Sequence, residues 1–89
     1  PSMSVQKKIY AKLSEAFSPE FLRVEDESHL HEGHAGFKPG GETHFRISIT
    51  SSIFSEKSRI EQQRMIYKVL SDEMNNQVHA LTLSIRVSD

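Results

Sequence analysis

Thr43-His44-Phe45-Arg46-Ile47-Ser48-Ile49-Thr50 is the stretch that sets the fold. Phe45, Ile47 and Ile49 alternate with His44, Arg46, Ser48 and Thr50. A period of two is the pattern of a strand with one apolar and one wet face. Upstream, Phe21 to Glu27 (FLRVEDE) alternates more roughly and reads as a strand with an acidic tail. Between them lies Ser28 to His44, SHLHEGHAGFKPGGETH, with four of the five histidines and all four glycines. Gly33, Gly36, Gly40, Gly41 and Pro39 argue against regular structure there. The two strands form a hairpin with a long connection. Tight hairpins use about 2–5 loop residues, and longer loops usually carry function.

Working outward, Val5, Ile9, Leu13, Ala16 and Phe17 make a helical apolar stripe. Ser4 is its expected N-cap, and Pro19 stops the helix at or before Ser18, giving a helix over 4–17. Lys7, Lys8, Lys12 and Glu15 take the other faces. Residues 51–57 read as a turn that tucks Ile53 and Phe54 into the core. Ser58 and Glu61 match a capping box ahead of a second helix. Its expected apolar face is Ile60, Tyr67, Leu70 and Met74, with Ile66 and Val69, and it ends near Asn75-Asn76. From Val78 to Val87, Leu81, Leu83, Ile85 and Val87 alternate with Thr82, Ser84 and Arg86, giving a third strand with His79 at its start. The order α-β-β-α-β predicts a two-layer α+β domain. Its three-stranded sheet carries both helices on one face, and its last two strands run parallel through a right-handed connection. Arg46, Ser48, Thr82, Ser84 and Arg86 line the open face.

Bulk properties narrow the function. Residues 1–89 fit one domain, with Pro1-Ser2-Met3 a disordered or cloning-derived leader. The absence of cysteine removes thiolate chemistry and suits a reducing compartment, so a cytoplasmic or organelle-matrix location is expected. The net charge of −1 lacks the basic excess of a strong nucleic-acid binder. No apolar run approaches the roughly 20 residues of a membrane helix. His79 with Glu25, Asp26 or Glu27 can be drawn as an acid–base pair. No nucleophile motif, phosphate loop or HExxH accompanies it, so no enzyme is expected.

The histidines are the remaining chemistry. His29, His31 and His34 sit in the hairpin loop and His79 at a strand end, and such segments gather at domain edges. Imidazole suits iron, zinc and copper, but two imidazoles leave a coordination sphere half empty. The plain alternatives are solvated loop histidines, His44 on the wet strand face, and His79 hydrogen-bonded at the core edge.

Several segments together resemble the BolA-like family: VEDESHLH, GGETHFRISITSSIF, RMIYKVLSDEM and VHALTLSI, in this order, from Val5 to Val87. ETHF (42–45), a serine and Phe54 after it, and HAL (79–81) are the diagnostic points. The resemblance implies a class II KH-like fold that lacks the GxxG loop, with a mixed three-stranded sheet. It implies a heterodimer with a monothiol glutaredoxin of the CGFS type and a bridging 2Fe-2S cluster. The partner's cysteine and a glutathione thiolate supply part of its ligand set. The HAL histidine, His79, is the implied ligand of this chain. A loop histidine is the second. It is His31 when aligned from DES, slightly favoured, and His34 when aligned by GHA, with His29 and His44 as bystanders. Arg46 or Lys38 would face glutathione carboxylates.

The expected function is thus a non-enzymatic adaptor in iron–sulfur trafficking or iron regulation, monomeric when free. The alternative is a DNA-binding transcriptional regulator, with Lys57, Arg64 and Lys68 as its weak basic stripe. Two departures from the family pattern stand out. Gln62-Gln63-Arg64 replaces an Arg-His-Arg triplet, and Glu56 stands where a glycine is usual.

Overall fold

The computed structural model describes residues 4–28 and 41–88. Pro1-Ser2-Met3, His29, His31, His34 and Lys38 lie outside them. Helix α1 runs Val5–Phe17, with Ser4 Oγ accepting the Lys7 N–H as N-cap. Ser18 closes it in a left-handed conformation just before Pro19. Strands β1 (Phe21–Asp26) and β2 (His44–Thr50) pair antiparallel, with Val24 opposite Ile47 and Leu22 opposite Ile49. Strand β3 (Ala80–Arg86) pairs parallel to β2, with His44 opposite Ala80 and Ile47 opposite Leu83. The sheet order is β1-β2-β3, the mixed topology expected.

The core is built where the two periodicities meet. Val5, Ile9, Leu13 and Phe17 from α1 bury against Val24, Phe45, Ile47, Ile49, Phe54, Ile66, Leu70 and Val78. Ile9 and Leu13 are fully buried, each contributing about 1.5–3 kcal/mol by removing apolar surface from water. Phe17 and Phe54 pack with ring centroids 4.9 Å apart. Leu81, Leu83 and Ile85 pack half-buried on the same cluster, because β3 is an edge strand with a neighbour on one side.

The second helix departs from expectation. It is two helices, α2 (Arg59–Val69) and α3 (Ser71–Asn76), divided at Leu70, whose φ of −99° and ψ of 20° leave the helical well. Neither proline nor glycine marks that division. The Ser58–Glu61 capping box is formed in both directions. Ser58 N–H is the chief cause that holds the Glu61 carboxyl below its ordinary range. The buried stripe keeps Ile66, Val69, Leu70 and Met74 of the expected face and leaves out Ile60 and Tyr67. Ile60 and Tyr67 are exposed, whereas Ile66 and Leu70 are buried. Met65 and Val69 pack beside these, so the inward spacing is 65, 66, 69, 70. Tyr67 lies about 100° round the axis from Ile66 and turns out of it. Ala16 is likewise exposed on α1. Ile53 is exposed and only Phe54 of that turn enters the core.

Polar contacts also tie α1 to distant parts of the chain. Lys12 is not merely a solvated residue of α1. Its Nζ stands 2.8 Å from Glu73 Oε2, and Glu73 is largely buried in α3. That hydrogen bond raises the Lys12 ammonium above its ordinary pKa. Ser51 Oγ donates to Phe17 O at 2.6 Å, tying the end of β2 to the end of α1.

Glu56 has φ 62°, in the left-handed region. That conformation costs a residue with a Cβ about 1 kcal/mol or more relative to glycine. Glu56→Gly is expected to raise the urea-unfolding free energy by about 0.5–1 kcal/mol, the strain relief being partly offset by a more flexible unfolded chain.

Candidate functional site

The two ends of the histidine-bearing loop are tied together by side chains. Asp26, at the end of β1, accepts the Ser28 N–H on Oδ1 and the Glu42 N–H on Oδ2, both at 2.9 Å. Gly41 and Glu42 have φ of 80° and 67°. A Cβ on Gly41 would stand 2.8 Å from Asp26 Oδ2, so close approach and dihedral both demand glycine. The Glu42 carboxylate turns to α1, where Oε1 accepts the Val5 N–H at 2.8 Å. An anion there complements the positive end of the helix.

Ser28 is buried at the centre of this tie. Its Oγ accepts the Thr43 N–H at 2.9 Å and the His44 N–H at 3.1 Å. The Thr43 carbonyl accepts the His79 N–H at 2.7 Å and the Ala80 N–H at 3.3 Å. The end of β1, the return of the loop and the start of β3 therefore meet at Thr43. Sequence reasoning missed this tie. Its available signal was D-x-S, the pattern of a carboxylate that captures the backbone two residues on.

His44 corrects the sequence reading. Its parity puts it with Arg46 on the open face, yet it is only 9% exposed. Thr43 Oγ1 lies 2.8 Å from its Nδ1. Its ring stacks on that of His79, with centroids 5.9 Å apart and planes at 13°. His79 is exposed, one residue before β3, so it is not a core-edge histidine. Among the described residues no group of three or more metal-ligating side chains converges. With no cysteine in the chain, these residues fit a metal or cluster only as part of a ligand set completed from elsewhere.

The carboxylates drawn as acid–base partners of His79 are engaged in other contacts. Glu25 pairs with Arg23 at 3.3 Å and Glu27 with Arg46 at 3.0 Å, while Asp26 ties the loop. Arg46 is thus already paired. Lys57, Arg64 and Lys68 are exposed, but Lys57 precedes the cap of α2, so only Arg64 and Lys68 ride on the helix. The charges of Lys57 and Arg64 also help to hold the Glu61 carboxyl low, which places an anion beside two of the three cations.

A family profile described as BolA-like protein matches residues 13–89. The chain belongs to the BolA-like family. Among BolA-like relatives, the Haemophilus influenzae protein named DNA-binding transcriptional regulator BolA is 37% identical over 83 residues, covering 93% of this chain and 77% of that one. Human BolA-like protein 1 is 42% identical over 82 residues, and the match spans 92% of this chain and 57% of the human protein. The BolA domain of SufE1 from Arabidopsis thaliana superposes with a TM-score of 0.86 at 37% identity, over 98% of this chain and 95% of that one. The BolA-like fold expected from the sequence is thereby shown. Among the described residues no helix is long and apolar enough to cross a membrane.

Ser28→Ala would leave two buried amides without an acceptor, and each unpaired group costs about 1–3 kcal/mol. Urea unfolding should show a loss of about 2 kcal/mol or more. Gly41→Ala, forced into a left-handed conformation against Asp26, should lose at least about 1–2 kcal/mol in the same measurement.

Proposed function

We propose that this BolA-like chain is a non-enzymatic adaptor that shares a bridging 2Fe-2S cluster with a monothiol CGFS glutaredoxin and glutathione, in iron–sulfur trafficking or iron regulation. The observation that carries this reading is an exposed His79, held at the loop root, in a chain whose described residues offer an incomplete ligand set and no thiolate. His79 is the ligand of the rigid part, its backbone fixed by the Thr43 carbonyl. His31 or His34 comes from the loop. The 2Fe-2S cluster, when bound, supplies an iron pair that accepts one electron. Imidazole in place of thiolate makes the bound group less anionic and raises its potential. Ligation requires neutral imidazole, so acid competes with the metal for these residues.

The chain mixed with a CGFS glutaredoxin, iron, sulfide and glutathione should yield a coloured heterodimer. Because His79 is exposed, His79→Ala should leave the far-UV circular dichroism of the free chain unchanged. The same substitution should alter the visible spectrum of the heterodimer or speed cluster loss several-fold. An unaltered spectrum and lifetime would refute the ligand assignment.

A second reading, a DNA-binding regulator, is favoured by the name of the Haemophilus influenzae relative and by Arg64 and Lys68 on the exposed side of α2. It predicts duplex binding that weakens steeply with salt and is lost in Arg64→Ala with Lys68→Ala. Flat titrations at low salt would remove it.

A further inference from the structure

The two edges of the sheet are not alike. Strand β3 donates its Ala80 N–H to the Thr43 carbonyl, and its Arg86 carbonyl accepts the Ser51 N–H. Backbone groups alternate between the two edges of a strand, so Ala80, Thr82, Ser84 and Arg86 turn theirs to β2. Leu81, Leu83 and Ile85 then present N–H and C=O on the outer edge. Among the described residues no hydrogen bond reaches them there. At the opposite edge of the sheet, Gln6 Nε2 donates to the Val24 carbonyl at 2.7 Å. Proteins commonly blunt a free edge with lysine, proline or a bulge. Strand β3 has none of these, and it pairs with β2 in unbroken register from Ala80 to Arg86.

A groove of about 420 Å³ runs between this edge and the first turns of α2. Arg59, Gln62 and Gln63 line it on one side, and Leu83, Ser84 and Ile85 on the other. Leu83 and Ile85 are half-buried and give it an apolar floor. Arg59 is exposed at the groove, and Arg86 is exposed beside Ser84 on the open face of the sheet. Among the described residues neither arginine has an ion pair, and no acidic side chain lines the groove. A strand added at this edge alternates its side chains between the two faces. One set would meet Arg59 and the amides of α2, the other Arg86 and the Ser84 hydroxyl.

We propose that the β3 edge is a docking site for an extended acidic peptide segment of a partner protein, which joins the sheet as a fourth strand. Backbone pairing with Leu81, Leu83 and Ile85 supplies the attachment, and the two arginines supply the preference for carboxylates. A second copy of β3 fits less well, because it brings the same cations and no anion to the seam. A nucleic acid strand offers no row of amides to complete the ladder. The site is a property of the free chain and is independent of the cluster reading.

The probe is a capped peptide of about six residues, valine alternating with glutamate, added at low salt to the 15N-labelled free chain. Amide hydrogen exchange, read residue by residue by NMR, should slow about tenfold or more at Leu81, Leu83 and Ile85. Thr82 and Ser84, whose amides already pair with β2, should be unchanged. Arg59→Glu should fold normally, since an acidic residue suits the first turn of a helix, and should weaken binding about tenfold. The peptide with lysine for glutamate, and the glutamate peptide with its backbone N-methylated, should not bind. No slowing at the three amides, undiminished binding by Arg59→Glu, or equal binding of either control peptide overturns the inference. Protection of those amides in the free chain that grows with protein concentration overturns it in favour of a second copy. Protection by oligothymidine and not by the peptide overturns it in favour of a nucleic acid.

Discussion

The Ser28 hydroxyl, buried between two backbone amides, is the contact on which the functional end of the molecule depends. It holds the return of the loop in register with the end of β1. It fixes the amide side of Thr43, whose carbonyl accepts from His79 and Ala80. Asp26 shares the task by capturing amides on both sides of the loop. One serine and one aspartate thus close the entropy-costly connection between β1 and β2 at its base.

That closure also changes what the histidines are. A solvated pair on a strand would be two independent groups. Here one ring is buried and oriented by hydroxyls, and the other stands exposed against it. Burial without a polar partner would be costly for an imidazole. The Thr43 hydroxyl offsets that cost and selects an orientation at the same time. One imidazole thus stays accessible while its neighbour stays fixed.

Much of the fold was legible because its signals are local. The alternation of Phe45, Ile47 and Ile49, the Ser4 cap, the Pro19 stop and the Ser58–Glu61 box each depend on a few neighbouring residues. The errors came where packing chooses among several apolar residues. Ile60 and Tyr67 share an apolar face with Ile66 and Leu70 in the sequence, yet only Ile66 and Leu70 turn inward. Ile53 and Phe54 are adjacent and both apolar, but the ring of Phe17 takes only Phe54. The left-handed Glu56 was visible as a missing glycine, although its dihedral was not.

The sequence by itself determined the order of elements, the caps, the core face of β2, the absence of thiolates and the BolA-like kinship. Those follow from periodicity, composition and ordered motifs along the chain. Tertiary structure alone decided that His44 is buried against His79, and that Ser28, sixteen residues from His44 along the chain, accepts its amide. These depend on how distant segments close on one another. An alternating pattern says which face a residue joins, but not which loop folds back to cover it.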